Sequence, residues 1–303
     1  MNSFIKACEI WTPSKDRSML EFSAGLFGNA TAFAAQSRAM CFGRDEGLPG
    51  RAWESGHPIM LTQLSGGYFR RAAAAAAADI HCAVALPIFL FDTLTCVLVF
   101  FCGASHQGAG ALELWHNDPR VSTDMSLVDG HFGAGGEALE ALSRDTYLPR
   151  GTGLAGLAWQ QGAAVLIDDL GQSTRFLRGD STDAIGIKRG LAIPCSALNE
   201  HHYTLNFLSA SLAPIAHTIE SWGAVAEGSG LQRLFGFSES QGALPAGDDG
   251  PTLALESDSC IVSAFKTGVA QVADLPGAGE SVSLIAIPVI ADGQVNEVVT
   301  LYL

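Results

Sequence analysis

The side chains with chemistry to offer in this 303-residue chain are seven cysteines, eight histidines and a charged group in its middle third. The cysteines are Cys8, Cys41, Cys82, Cys96, Cys102, Cys195 and Cys260, an odd number with five in the first third. No CxxC or Cys/His spacing suggests zinc, so buried free thiols in a reducing cytoplasm explain the set best. His81-Cys82 is the one adjacent pair that merits a test for thiol chemistry, although ordinary strand positions account for it more simply. In the middle third, Arg175, Lys188 and Arg189 could fork onto a carboxylate or phosphate, with Asp168 and Asp169 beside them. Thr152 precedes a helical segment and could cap it, leaving amides to face an anion. The simpler alternative pairs Asp168 with Arg175 or with loop backbone and leaves Lys188 and Arg189 in solvent. No P-loop, dinucleotide fingerprint or Ser-His-Asp arrangement stands out.

Composition sets the frame for these residues. Hydrophobic residues make up 48% and charged residues 16%, enough apolar material for buried cores and too little charge for wholesale disorder. The net charge of −14 repels phosphate backbones and anionic membranes. Residues 1–104 carry eight acids and eight bases, and 105–211 carry twelve and seven. Residues 212–303 carry eleven acids against only Arg233 and Lys266. That acidic third is a self-repelling soluble surface or a docking face for a basic partner. Residues 83–104 are apolar enough to suggest a membrane span. Pro87, the central Asp92-Thr93 and the Val/Phe/Thr content favour a hairpin of two buried strands instead. The N-terminal ten residues lack a signal-peptide core, and the expected location is cytoplasmic.

The elements that must position the reactive residues are written three times. An Ala/Thr-x-Glu-x-Trp pentad occurs at Ala7–Trp11, Ala111–Trp115 and Thr218–Trp222. A second apolar stretch follows each, at 20–27, 125–132 and 231–237. Next come segments that read as helices closed by glycine, at Gly47–Gly56, Gly153–Gly162 and, less well preserved, Cys260–Gly268. Each closing glycine suits a left-handed C-terminal position. A strand follows at 58–61, 164–167 and 269–273. Each unit ends in a hairpin opened by Ala-Leu/Ile-Pro, at Ala85, Ala192 and Ala286, and Asp292-Gly293 predicts a tight turn in the third. A further helix is predicted at 69–78 around a run of seven alanines, and its counterpart in the third unit is short or missing. Each unit reads strand, strand, helix, strand, helix, hairpin, an α+β plan with an antiparallel sheet. The expected modules are 1–104, 105–211 and 212–303. Trp53 and Trp159 have helical spacing to Leu48 and Leu154 and are expected in the core.

These landmarks resemble the GAF domain family of small-molecule sensor modules. The second unit carries the likeness best, through Gly153-Leu154-Ala155-Gly156, Val165–Asp169, Arg175-Phe176 and Gly186–Pro194. The first matches at Gly47–Gly56, Tyr68-Phe69 and Ala85–Pro87, and the third is a degenerate copy. The resemblance implies about six antiparallel strands per module, helices on one face and a ligand pocket on the other. It places Asp168, Asp169, Arg175, Lys188 and Arg189 around that pocket, between the hairpin and the loop after the Asp-bearing strand.

The resemblance also implies non-enzymatic binding of a small molecule. One branch of the family reduces free methionine sulfoxide with several cysteines, but its cysteine motifs are not reproduced here. Bilin-binding members carry Cys before His on a helix, whereas His81-Cys82 reverses the order on a strand. The cyclic-nucleotide signature is absent, and nothing indicates haem, bilin or metal. The helical stalks that usually flank such modules are not seen: the chain passes from strand to strand through Gly103–Gly110 and Ala210–His217 and stops on a strand at Leu303. A signal would then leave by docking a separate protein, and a ligand-free docking scaffold is the main rival reading.

Overall fold

The computed structural model describes residues 4–103, 110–210, 213–225, 228–275 and 282–303. The 104–109 part of the first expected linker, residues 211–212 of the second, and 276–281 lie outside it. The expected shortening of the second helix in the third unit falls on this last stretch.

Three antiparallel sheets with the same strand order make up the α+β fold. The first unit runs β1 (Ile5–Pro13), β2 (Leu20–Leu26), α1 (Thr31–Arg38), β3 (Cys41–Phe42), α2 (Gly47–Ser55), β4 (Ile59–Leu61), α3 (Ala72–Ala77), β5 (Ile80–Leu90) and β6 (Thr93–Gly103). Its sheet order is β3-β2-β1-β6-β5-β4. The second unit repeats this as β7 (Ala111–Asn117), β8 (Asp124–Phe132), α4 (Glu137–Arg144), β9 (Tyr147–Pro149), α5 (Gly153–Gln161), β10 (Val165–Ile167), α6 (Gly179–Asp183), β11 (Ile187–Cys195) and β12 (His202–Ala210). In the third unit the elements are β13 (Thr218–Ala224), β14 (Gly230–Ser238), β15 (Gly242–Ala243), β16 (Thr252–Ala254), α7 (Cys260–Thr267), β17 (Gln271–Leu275), β18 (Val282–Ala291) and β19 (Gln294–Tyr302). Its sheet order is β15-β14-β13-β19-β18-β17, with β16 also paired to β14. The described part of the apolar stretch, 83–103, is accordingly in the hairpin of β5 and β6. No helix among the described residues is long and apolar enough to cross a membrane.

Local chemistry explains the repeat. The closing glycines Gly56, Gly162 and Gly268 all sit in the left-handed region, at φ 68°, 60° and 64°, where a side chain would be strained. In the third hairpin Asp292 and Gly293 take φ 50° and 76°, the two positive values of a tight I′ turn. The pentad tryptophans occupy one equivalent place. Each marks a register shift against the second strand, between Ile10 and Trp11, Leu114 and Trp115, and Ser221 and Trp222.

Strand alternation then divides each pentad between two cores. Ala7 and Trp11 face the helices, and Cys8 and Ile10 face away from them. Ala111 and Trp115 likewise oppose Leu112 and Leu114. The faces turned away from the helices do not border a pocket within each module, as the GAF resemblance implied. They pack on one another in a single central core with contributions from all three sheets, including Leu98, Phe100, Leu205, Phe207, Ile285 and Leu301. Fully apolar faces leave burial against another sheet as the favourable solution.

The sheets close a ring. Strand β5 approaches both β11 and β18, and β11 approaches β18. At each seam the left-handed glycine of one unit meets the hairpin region of the next. The Leu198 amide donates to the Gly56 carbonyl at 2.9 Å. Gly162 faces Ala291, and Gly268 faces Leu90 while its carbonyl accepts from Thr95 Oγ1 at 2.6 Å. The third seam returns to the first unit and completes the circle.

Candidate functional site

Between helices and sheet, each unit holds a buried carboxylate that ties its tryptophan to an arginine. Glu9 accepts from Trp11 Nε1 at 3.0 Å and from both terminal nitrogens of Arg71. Glu113 accepts from Trp115 Nε1 at 2.9 Å, from both terminal nitrogens of Arg178 and from Asn206. Arg71 and Arg178 stand at equivalent positions, the residue before α3 and the residue before α6. Each also donates to a helix serine, Ser37 or Ser143, whose hydroxyl lies within hydrogen-bond distance of the carbonyl four residues back. Aromatic rings stack on the cations: Phe33, Phe69 and Phe101 on Arg71, and Trp115 and Phe176 on Arg178.

The third unit reaches the same end from another element. Arg233 on β14 pairs with Glu220 at 2.8 Å, and Trp222 Nε1 and the Tyr302 hydroxyl donate to that carboxylate. Burial acts to raise the Glu113 pKa, but Arg178 and the other donors outweigh it and hold the group below its ordinary value. The interior is thus occupied by the chain's own guanidinium groups. The sequence carries a signal for them, a Phe-x-Arg spacing at Phe69–Arg71 and Phe176–Arg178, and it is Arg178, not the nearby Arg175, that turns inward.

The residues singled out in the sequence do not converge on one pocket. Asp168 is exposed and its carbonyl accepts from Arg189 at 2.9 Å. Arg189 clamps Glu239 of the third unit through two bonds of 2.9 and 2.8 Å and lies over Phe237, so it is a seam residue and not solvated. Lys188 pairs with Asp183 on the surface, and Asp169 accepts from the Gln172 amide. Arg175 is exposed and makes no ion pair among the described residues. Thr152 holds the N-cap position of α5 with extended backbone, but its side chain makes no capping bond. His81 is exposed and bonds Asp79 at 3.0 Å, while Cys82 is buried and faces Cys102 across the β5–β6 ladder. Burial pushes the Cys82 thiol well above its ordinary value and Cys102 to about 12, leaving neither a ready thiolate at neutral pH.

A cleft of about 530 Å³ lies where the three hairpins meet. Its origin is a break in the repeat. Two residues join β5 to β6 and β18 to β19, but residues 196–201 join β11 to β12. The shorter tips bind each other through the Phe91 amide and the Gly293 carbonyl at 3.0 Å. The longer loop opens space lined by Trp159 and Arg150 of the second unit, Phe91 of the first and Asp292 of the third. Trp159 is only half-buried here, unlike its counterpart Trp53, which is buried as expected. Phe91 is 66% exposed at φ 50°, a conformation a bulky side chain avoids.

Behind one wall lies a chain of rings. Arg120 donates to His201 Nε2 at 2.9 Å, which places the His201 proton on Nδ1, 2.9 Å from His116 Nε2. Tyr203 packs between His116 and His57, at 4.6 and 5.0 Å. Burial first, then the neighbouring His201, holds His116 below its ordinary value of 6.5.

No family model and no curated protein matches the chain. Similar solved structures each cover about a third of it, the length of one unit. A hypothetical protein from S. aureus is 12% identical with a TM-score of 0.27, over 33% of this chain and 82% of its own. The nlh2 GAF domain of A. aeolicus in an inactive state is 15% identical with a TM-score of 0.27, over 33% and 59%. Free methionine-R-sulfoxide reductase from Neisseria meningitidis, in complex with its substrate, is 19% identical with a TM-score of 0.26, over 34% and 53%.

Proposed function

We propose that this chain is a non-enzymatic regulatory protein of three GAF-like modules that binds a small molecule at the junction of their hairpins. The observation that carries the reading is the cleft itself. Its volume falls in the range of roughly 300–1,000 Å³ usual for ligand sites, and its lining is mainly polar with the Trp159 and Phe91 rings set among the polar groups. It lies where the repeat departs from its own pattern, and all three units contribute to its lining. A ligand there would bridge the seams of the ring and stabilise the closed arrangement by mass action. The acidic third unit is the proposed face for a separate, basic partner that receives the signal. The interiors filled by Arg–Glu pairs favour a second reading, a ligand-free scaffold, and the two separate in one experiment. A metabolite library is screened by thermal shift against the full chain and against Ser196→Trp, which fills the cleft from the 196–201 loop. Binding at the cleft gives compounds that stabilise the wild type and not the variant. A library that never distinguishes the two proteins leaves the scaffold.

A further inference from the structure

We infer that the cleft selects a planar aromatic monoanion, its carboxylate on Arg150 and its ring against Trp159 and Phe91. This rests on the reading of the cleft as the ligand site and adds the chemistry of the ligand. Aromatic surface is the first ground. Phe91 and Trp159 present their rings to the cleft, while the other two aromatic residues of its lining, Phe89 and Tyr203, are buried behind it. The Arg-over-Trp pair itself belongs to the repeat, Arg44 lying 4.4 Å from the Trp53 ring in the first unit, but there Glu54 takes the cation, and Gln160 stands in that place beside Arg150.

Charge is the second ground. The chain has 31 acids for 17 bases, yet Arg150 makes no ion pair among the described residues. Its guanidinium lies 5.8 Å from the Trp159 ring, so an anion it holds is delivered beside an aromatic face. A planar fork of donors on an exposed arginine matches a carboxylate in two bonds. The His202 ring lies tilted against Trp159, with centroids 5.1 Å apart. Partial desolvation, then Arg150 and His201, lowers its pKa, so at neutral pH it presents a ring and not a second positive charge.

The third ground is the strained tip. Phe91 keeps a large ring in solvent on left-handed backbone, while its amide is tied to Gly293 of the third unit. Strain held in place by a neighbouring unit is how a contact residue is pre-positioned. Asp292 on the opposite turn is the only carboxylate in the lining among the described residues, and it disfavours a second negative charge on the ligand. A volume of about 530 Å³ accommodates two fused rings with a carboxylate.

Four probes separate the elements of this inference: 2-naphthoate, 2-naphthamide, cyclohexanecarboxylate and (2-naphthylmethyl)trimethylammonium. Each is titrated by calorimetry into wild type, Arg150→Gln and Ser196→Trp. The expected result is 2-naphthoate binding about tenfold or more tighter than the other three. Arg150→Gln should weaken naphthoate by about the same factor and leave naphthamide unchanged, a contrast that misfolding cannot produce. Tighter binding of the ammonium compound, or naphthoate affinity indifferent to Arg150→Gln, overturns the inference. If naphthoate fails while other compounds still distinguish wild type from Ser196→Trp, the ligand class is wrong and the cleft reading stands. If nothing distinguishes those two proteins, the cleft reading itself falls.

Discussion

Replacing Arg178 by methionine removes the cation from the best-connected of the three buried carboxylates that bond a tryptophan. Glu113 is fully buried and loses two charge-assisted bonds, keeping Trp115 Nε1 at 2.9 Å, Ser143 at 2.9 Å and Asn206 at 3.3 Å. A buried charge stripped of its partner costs about 3–5 kcal/mol, and the remaining donors place this case toward the lower end. Methionine fills much of the volume between Trp115 and Phe176, so cavity formation adds little.

The loss also has a pH signature. With Arg178 gone, burial is the main influence left on the Glu113 carboxyl, and its folded-state pKa rises above the unfolded value. A raised carboxyl pKa means the folded state holds a proton that the unfolded state releases. The variant's stability therefore falls as pH rises from about 4.3 through the raised value, and its deficit is smaller at acid than at neutral pH. Urea denaturation followed by tryptophan fluorescence at pH 4.5 and 7.5, with hydrogen exchange to localise the opening to the second unit, measures both effects. The double variant Glu113→Gln, Arg178→Met should recover most of the loss at neutral pH, because no buried charge remains. A deficit below about 1 kcal/mol at pH 7.5, or a double variant no better than the single one, would refute the reasoning.

Three further outcomes follow from the seams and the ring chain. Burial is the largest influence on Glu297 and raises its pKa despite bonds from Ser221 and the Ala164 amide, so Glu297→Gln should stabilise the chain at pH 7.5 and change little at pH 4, by urea denaturation. Gly268→Ala puts a methyl group 2.9 Å from Leu90 on backbone at φ 64°. It should cost about 1–3 kcal/mol and loosen the seam between the third and first units by hydrogen exchange. His116 is held below 6.5 in the folded state, so the stability it contributes is present above 6.5 and lost as pH falls through its lowered value. His116→Gln should flatten that part of the stability curve. The groups facing it are His57, Asp118, Arg120, His201, His202 and Tyr203, and an unchanged pH slope in the variant would assign the loss to another of them.

The sequence was most informative where one residue type answers one backbone need. The three left-handed glycines, the Asp292-Gly293 turn and the place of Trp11, Trp115 and Trp222 were all legible for that reason. Helices α1 and α4 and the short strands β3 and β9 were not, because they carry no landmark common to the three units, and the third has no described counterpart for α1 or α4. Arg71 and Arg178 were hidden differently. An arginine before a helix looks like a surface residue until the carboxylate that draws it inward is known to share its interior. The cleft depends on hairpins distant in sequence, and its local sign is that residues 196–201 stand where their counterparts have two-residue turns.

The ring accounts for both the regularity and its failures. A face as apolar as Cys82, Val84, Leu86 and Ile88 on one strand cannot be left in water, at about 25 cal/mol for each Å² of apolar surface. Three copies of the same sheet solve the problem together when each covers part of its neighbours. Closure then fixes the features that must be equivalent in all three, namely the glycine seam and the inward strands. The hairpin tips lie beyond the shared core, and apart from the bond from the Leu198 amide to Gly56 the longer loop of the second unit is released from that constraint, so it opens space without disturbing the central packing. Positions equivalent in all three units serve the ring, and those that differ at the tips are free to serve a ligand. Shortening 196–201 to a two-residue Asn-Gly turn should therefore remove ligand-dependent stabilisation, while loss of the seam bond from the Leu198 amide to the Gly56 carbonyl lowers the stability of the ring by only about 1 kcal/mol. A loop deletion that instead unfolds the whole chain would show that the tips hold the ring together.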